Sequence, residues 1–101
     1  MKKLIIINGS MGVGKSAVCE ALLKRLTPGV YLDGDWCWKM NPFCVTEENK
    51  EMVTGNITHL LKSYLGNSGF EYIIFCWVMH EQEIFGQILG PLNGFTYELH
   101  K

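Results

Sequence analysis

Basic runs, long apolar stretches and paired cysteines are all missing from this chain of 101 residues, and each absence removes a class of protein. Lysine and arginine number 9 against 10 acidic residues, a formal net charge of -1. With no basic cluster there is no electrostatic footprint for nucleic acid. No apolar stretch reaches the length of a membrane span, and the N-terminal lysines lead into a strand pattern instead of a signal cleavage site. Both features point to a cytoplasmic protein. Cys19, Cys37, Cys44 and Cys76 form no C-x-x-C pair and have no histidines at zinc-binding spacing, so they read as reduced, partly buried thiols. Repeats, low-complexity segments and linkers are lacking too. Residues 1–101 make one domain, long enough to bury about two thirds of its unfolded surface.

What the chain does have begins at Gly9. Gly9, Ser10, Met11, Gly12, Val13, Gly14, Lys15 and Ser16 match the phosphate-binding loop pattern of glycine, any four residues, glycine, lysine and serine. The flanks suit it. Leu4, Ile5, Ile6 and Ile7 form the aliphatic run of a parallel strand buried on both faces. Behind the loop, Val18, Leu22 and Leu26, with Ala21, make one apolar face of a helix that Thr27, Pro28 and Gly29 stop. Glycines let backbone N–H groups close on a phosphate, and the following helix, through Ala17, adds its positive end. Lys15 is placed to reach the β- and γ-phosphates, and Ser16 to offer its hydroxyl to Mg²⁺.

Further along, Val30 to Leu32 reads as a short strand leading into Asp33-Gly34-Asp35. Thr46 is an N-cap with Glu47 and Glu48 in the first turn, and Val53, Ile57, Leu60, Leu61, Tyr64 and Leu65 make a long apolar face that Gly66 to Gly69 ends. Tyr72 to Val78 reads as a central parallel strand. A helix from about Glu81 to Leu89 and a fourth strand from Phe95 to Leu99 complete the alternation, which implies an α/β fold with a parallel sheet covered on both faces. Ligands of such sheets sit at the carboxyl ends of the strands, which selects residues 9–16, 33–39 and 78–83.

Asp33 and Asp35, two residues apart in an extended segment, point the same way. One is suited to hold Mg²⁺ through water and the other to accept a proton from an attacking hydroxyl; a plain polar turn is the simpler reading of the same residues. Trp36, Trp38, Met40 and Phe43 follow as an apolar wall, belonging to either core or pocket, with Trp36, Trp38 and Met40 on one side of an extended segment. His80 and Glu81 stand at the rim, either to cap the next helix or to touch substrate.

The combination of "GSMGVGKS", a first helix and "YLDGDW" after the second strand resembles the P-loop small-molecule kinases related to shikimate kinase, gluconate kinase and chloramphenicol phosphotransferase. The resemblance implies a three-layer P-loop NTPase fold, ATP and Mg²⁺ as cofactors, and a small-molecule acceptor. It assigns magnesium binding and hydroxyl activation to Asp33 and Asp35, with Ser16 as the other metal ligand. Two features depart from that family. The third strand carries no terminal aspartate for the metal, and Arg25, the one arginine, stands at the far end of the first helix. The chain resembles the N-terminal half of such a kinase, truncated to about four strands, with the lid and C-terminal part absent. That leaves a nucleotide-binding module with little turnover as the competing expectation; a GTPase is disfavoured because no N-K-x-D segment is present. A fourth strand left as an open sheet edge invites self-association into a homo-oligomer.

Overall fold

The aliphatic run Leu4–Ile7 lies within β1 (Lys2–Asn8), the strand from which the rest of the architecture is organised. The structure, a computed structural model, describes residues 2–8, 15–77, 82–94 and 97–100; at 8, 15, 16, 82–85, 93 and 100 the description is of backbone. Three more strands, β2 (Gly29–Asp33), β3 (Tyr72–Trp77) and β4 (Tyr97–His100), complete a sheet of order β2-β3-β1-β4. Every pairing is parallel. The helices are α1 (Lys15–Arg25), α2 (Glu47–Leu65) and α3 (Gln82–Leu89), and 3₁₀ segments Gly34–Trp38 and Gly90–Gly94 follow β2 and α3.

The alternation of side chains along each strand sorts the sheet into two faces. Leu4, Ile6, Leu32, Ile73 and Phe75 face one way and bury against Val53, Ile57, Leu61 and Leu65 of α2 and Ile88 of α3. Tyr31, Ile74 and Cys76 face the other way, against Cys19 of α1. The layers are therefore α1, sheet, and α2 with α3, an α/β fold of three layers. The path explains the sides. The chain passes from β1 over β3 to β2 with α1 on one face, then reverses direction and carries α2 and α3 on the other. A fixed crossover hand requires the face to change when the direction does.

Local signals hold where they are strongest. Thr46 caps α2, its hydroxyl accepting from the Asn49 N–H at 3.0 Å, with Glu47 and Glu48 in the first turn. Val53, Ile57, Leu61 and Leu65 are buried as their spacing predicts, with Leu60 and Tyr64 packed beside them. Gly66 ends the helix, its N–H bonded to the Lys62 carbonyl at 2.9 Å. Tyr72–Trp77 is the central strand expected, and Val78 lies outside the described residues. The Lys2 ammonium donates to the Asn67 and Phe70 carbonyls, fastening the loop between α2 and β3 to the start of the sheet.

The face assigned to the first helix is corrected. Val18 is half exposed and Ala21 is exposed; the residues turned to the sheet are Cys19, Leu22, Leu23 and Leu26. A strict spacing of four drifts around a helix of 3.6 residues per turn, and the i, i+3, i+4, i+7 stripe starting at Cys19 stays over the sheet.

Candidate functional site

The carboxyl ends of β1 and β3 lie side by side, with Asn8 in register with Trp77. The chain leaves β1 toward α1 on one face and leaves β3 toward α3 on the other. That divergence makes the strand ends a topological switch point, the position where open α/β sheets bind ligands. The glycine-rich loop falls here. Gly9, Ser10, Met11, Gly12, Val13 and Gly14 lie outside the described residues, but their ends are set: β1 stops at Asn8 and α1 starts at Lys15. Lys15, Ser16 and Ala17 form the first turn of α1, and Ala17 is exposed. No acidic residue stands in that turn, whereas Lys24 and Arg25 occupy the last. The positive end of the helix is thus left without an internal counter-charge, which suits an anion. Arg25 stands about 15 Å along the axis from Lys15 at 1.5 Å per residue.

Asp33 closes β2, in register with Cys76, which is itself in register with Ile7. Two strand spacings, about 10 Å, therefore separate Asp33 from the strand that feeds the loop. The extended geometry expected for Asp33 and Asp35 is corrected. Asp33 is extended, but the chain turns at Gly34 into the 3₁₀ segment that contains Asp35. Asp33 is the cap of that turn: its Oδ1 accepts from the Asp35 N–H at 2.9 Å and its Oδ2 from the Tyr31 hydroxyl at 3.2 Å. The Asp35 side chain, by contrast, is exposed. Gly34 is required by close approach, since a Cβ there would lie 2.7 Å from Cδ1 of the Trp77 indole. Trp77 thus ties the end of β3 to the turn after β2.

The same 3₁₀ turn splits the apolar wall that alternation predicted. Trp38 and Met40 pack on the main core, while Trp36 and Phe43 are exposed. Trp36 rests on Tyr31 with ring centroids 5.1 Å apart, and Phe43 rests on Trp38 at 5.8 Å. Burial pushes the Cys37 thiol up from its usual range; Tyr64 is also raised, by burial first and then by the neighbouring Cys37. His80 and Glu81 lie outside the described residues.

Mg²⁺ takes hard oxygen donors and, at phosphate loops, draws most of its shell from phosphate and water, so one or two protein oxygens suffice. Among the described residues no three His, Cys, Asp or Glu side chains converge as metal ligands. Asp33, accepting two hydrogen bonds, keeps lone pairs for a metal-bound water. Such an oxygen suits the ion through water.

A groove of about 950 Å³ runs along α2 from Glu47 to Lys62, with Trp77 at the end of β3 in its lining, and was not anticipated. Thr54, Thr58 and Lys62 of α2 line one side, Gln87 and Pro91 another, and Trp38 and Trp77 add indole surface. Trp77, at the end of β3, lines the groove and also lies against Gly34 of the turn after β2. The sequence held a signal for it. Glu47, Lys50, Glu51, Thr54, Thr58 and Lys62 recur at helical spacing on α2, a second, polar stripe beside the buried one.

Among the described residues no helix is long and apolar enough to cross a membrane. A family model described as an AAA domain matches residues 5–91. No curated protein matches the chain.

Proposed function

The chain belongs to the AAA domain family, a P-loop NTPase type of nucleotide-binding domain, and from that premise we propose that it is an ATP- and Mg²⁺-dependent phosphotransferase acting on a hydroxyl of a small molecule. The observation that carries this reading is the junction of three features at Trp77. Asn8, where the strand–loop–helix unit begins, is in register with Trp77; Trp77 lies against Gly34 of the Asp33–Gly34–Asp35 turn; and Trp77 also lines the groove along α2.

Gly9 to Gly14 supply backbone N–H groups to the phosphates, and Lys15 neutralises the β- and γ-phosphate charge. Ser16 and Asp33 would hold Mg²⁺. When bound, the metal offsets the charge that develops between the β- and γ-oxygens. Asp35, whose carboxylate is exposed while Asp33 is engaged by its neighbours, accepts the proton of the attacking hydroxyl. The acceptor occupies the groove, with Trp38 and Trp77 excluding water on one side.

A second reading, nucleotide binding with little turnover, is favoured by Arg25. Phosphoryl transfer gains about 10³ to 10⁵ in rate from an arginine at the transition state, and the one arginine of these residues stands at the last position of α1. Self-association is proposed through β4, which among the described residues pairs on one side alone.

Mg-ATP at 100 times its dissociation constant should stabilise the protein by about 2.7 kcal/mol, read as a melting shift, and Lys15→Ala should abolish that shift. An equal shift in the variant would remove the phosphate loop from the account. A coupled ADP assay with and without acceptors then separates transfer from binding alone: Asp35→Asn should keep the melting shift and lose turnover. Light scattering that finds a monomer at high concentration would exclude association through β4.

A further inference from the structure

We propose that Gly55 determines the specificity of the groove on α2, and that the groove takes an uncharged, polyhydroxylated compound with flat ring faces. This rests on the reading of the groove as the acceptor site. Glycine is among the poorest helix formers, yet Gly55 stands inside the 19-residue α2. No packing demands it there: a Cβ at 55 would meet nothing within 4 Å. The space left open is the groove, which Gly55 lines together with Glu51, Thr54, Thr58, His59 and Lys62. A long side chain at this exposed lining position would extend into space that glycine leaves open.

The lining states what fits. Glu47 and Glu51 balance Lys50 and Lys62, and Lys50 is already paired with Glu47 at 3.4 Å. A ligand of either net charge therefore finds no matching field. Thr54, Thr58, Gln87 and the Glu51 carboxylate offer acceptors and donors for hydroxyls. Trp38 and Trp77 offer apolar ring surface. A volume of about 950 Å³ accommodates a compound of two rings.

The test titrates three matched probes in the absence of nucleotide: phenyl β-D-glucopyranoside, its anionic glucuronide and its cationic 2-amino analogue. Tryptophan fluorescence and calorimetry are read on the wild type, Gly55→Leu and Gly86→Leu. Gly86 lies within α3, also with nothing within 4 Å of a Cβ, and does not line the groove, so it controls for leucine on a helix surface. The neutral glycoside should bind at least tenfold tighter than either charged analogue. Gly55→Leu should weaken it tenfold or more while melting no lower than the wild type, and Gly86→Leu should bind as the wild type does. Preference for a charged probe, unchanged affinity in Gly55→Leu, or no binding of any of the three overturns the proposal. The Mg-ATP melting shift, measured on the same samples, is independent: its absence beside intact glycoside binding would overturn the transfer reading alone.

Discussion

The two faces of the sheet are built to different standards. On the side of α2 and α3, Leu4, Ile6, Leu32, Ile73 and Phe75 meet Val53, Ile57, Leu61, Ile88 and Leu92 in a continuous core. On the side of α1 the buried group is Cys19, Tyr31, Ile74 and Cys76, and the helix adds Leu22, Leu23 and Leu26 half-buried. The helix ends differ in the same sense. α2 has a Thr46 cap and Glu47 and Glu48 in its first turn, the charges that favour a helix start; α1 has neither acid nor stabilising charge there. One face holds the fold together. The other carries the start of α1, whose first turn holds no acidic residue.

The contrast breaks first in the larger core. Phe75→Ala should cost about 3 to 5 kcal/mol in chemical denaturation, whereas Leu22→Ala on the α1 face should cost about 1 kcal/mol, since half-buried side chains gain less from leaving water. Equal costs would erase the distinction between the faces. Next comes the junction between them. Gly34→Ala pushes a Cβ into the Trp77 indole, and overpacking of this kind costs about 1 to 3 kcal/mol; a red or blue shift of tryptophan emission should accompany the loss. Thr46→Ala removes the cap of α2 and should lower stability by about 1 kcal/mol. Val18→Ala, on the solvent side of α1, should stay within about 0.5 kcal/mol of the wild type. A larger effect there would show that something covers this helix.

The elements were legible wherever one local signal dominated. The run Leu4–Ile7 could only be a buried strand, Thr46 with Glu47 and Glu48 only a helix start, and Gly66 an end. The end of β1 and the start of α1 were legible because glycines interrupt the strand pattern between them. The segment from Asp33 to Met40 was misread as extended because alternation and a 3₁₀ turn look alike over so few residues. Asp33, Gly34 and Asp35 supplied the turn chemistry, and the Asp33 carboxylate closes it by accepting from the Asp35 N–H. The groove escaped notice because attention to the apolar stripe of α2 passes over the polar stripe beside it.

By itself the sequence determined the order of strands and helices and their ends at Asn8, Lys15, Thr46 and Gly66. All of these depend on contacts within a few residues, where propensity, capping and spacing act directly. Tertiary structure alone decided that β3 lies between β1 and β2, that α1 turns Cys19 and not Val18 to the sheet, and that Trp77 fills the space a Cβ at residue 34 would need. Those outcomes follow from which surfaces bury one another across the whole chain. No window of neighbouring residues contains both partners of such a contact.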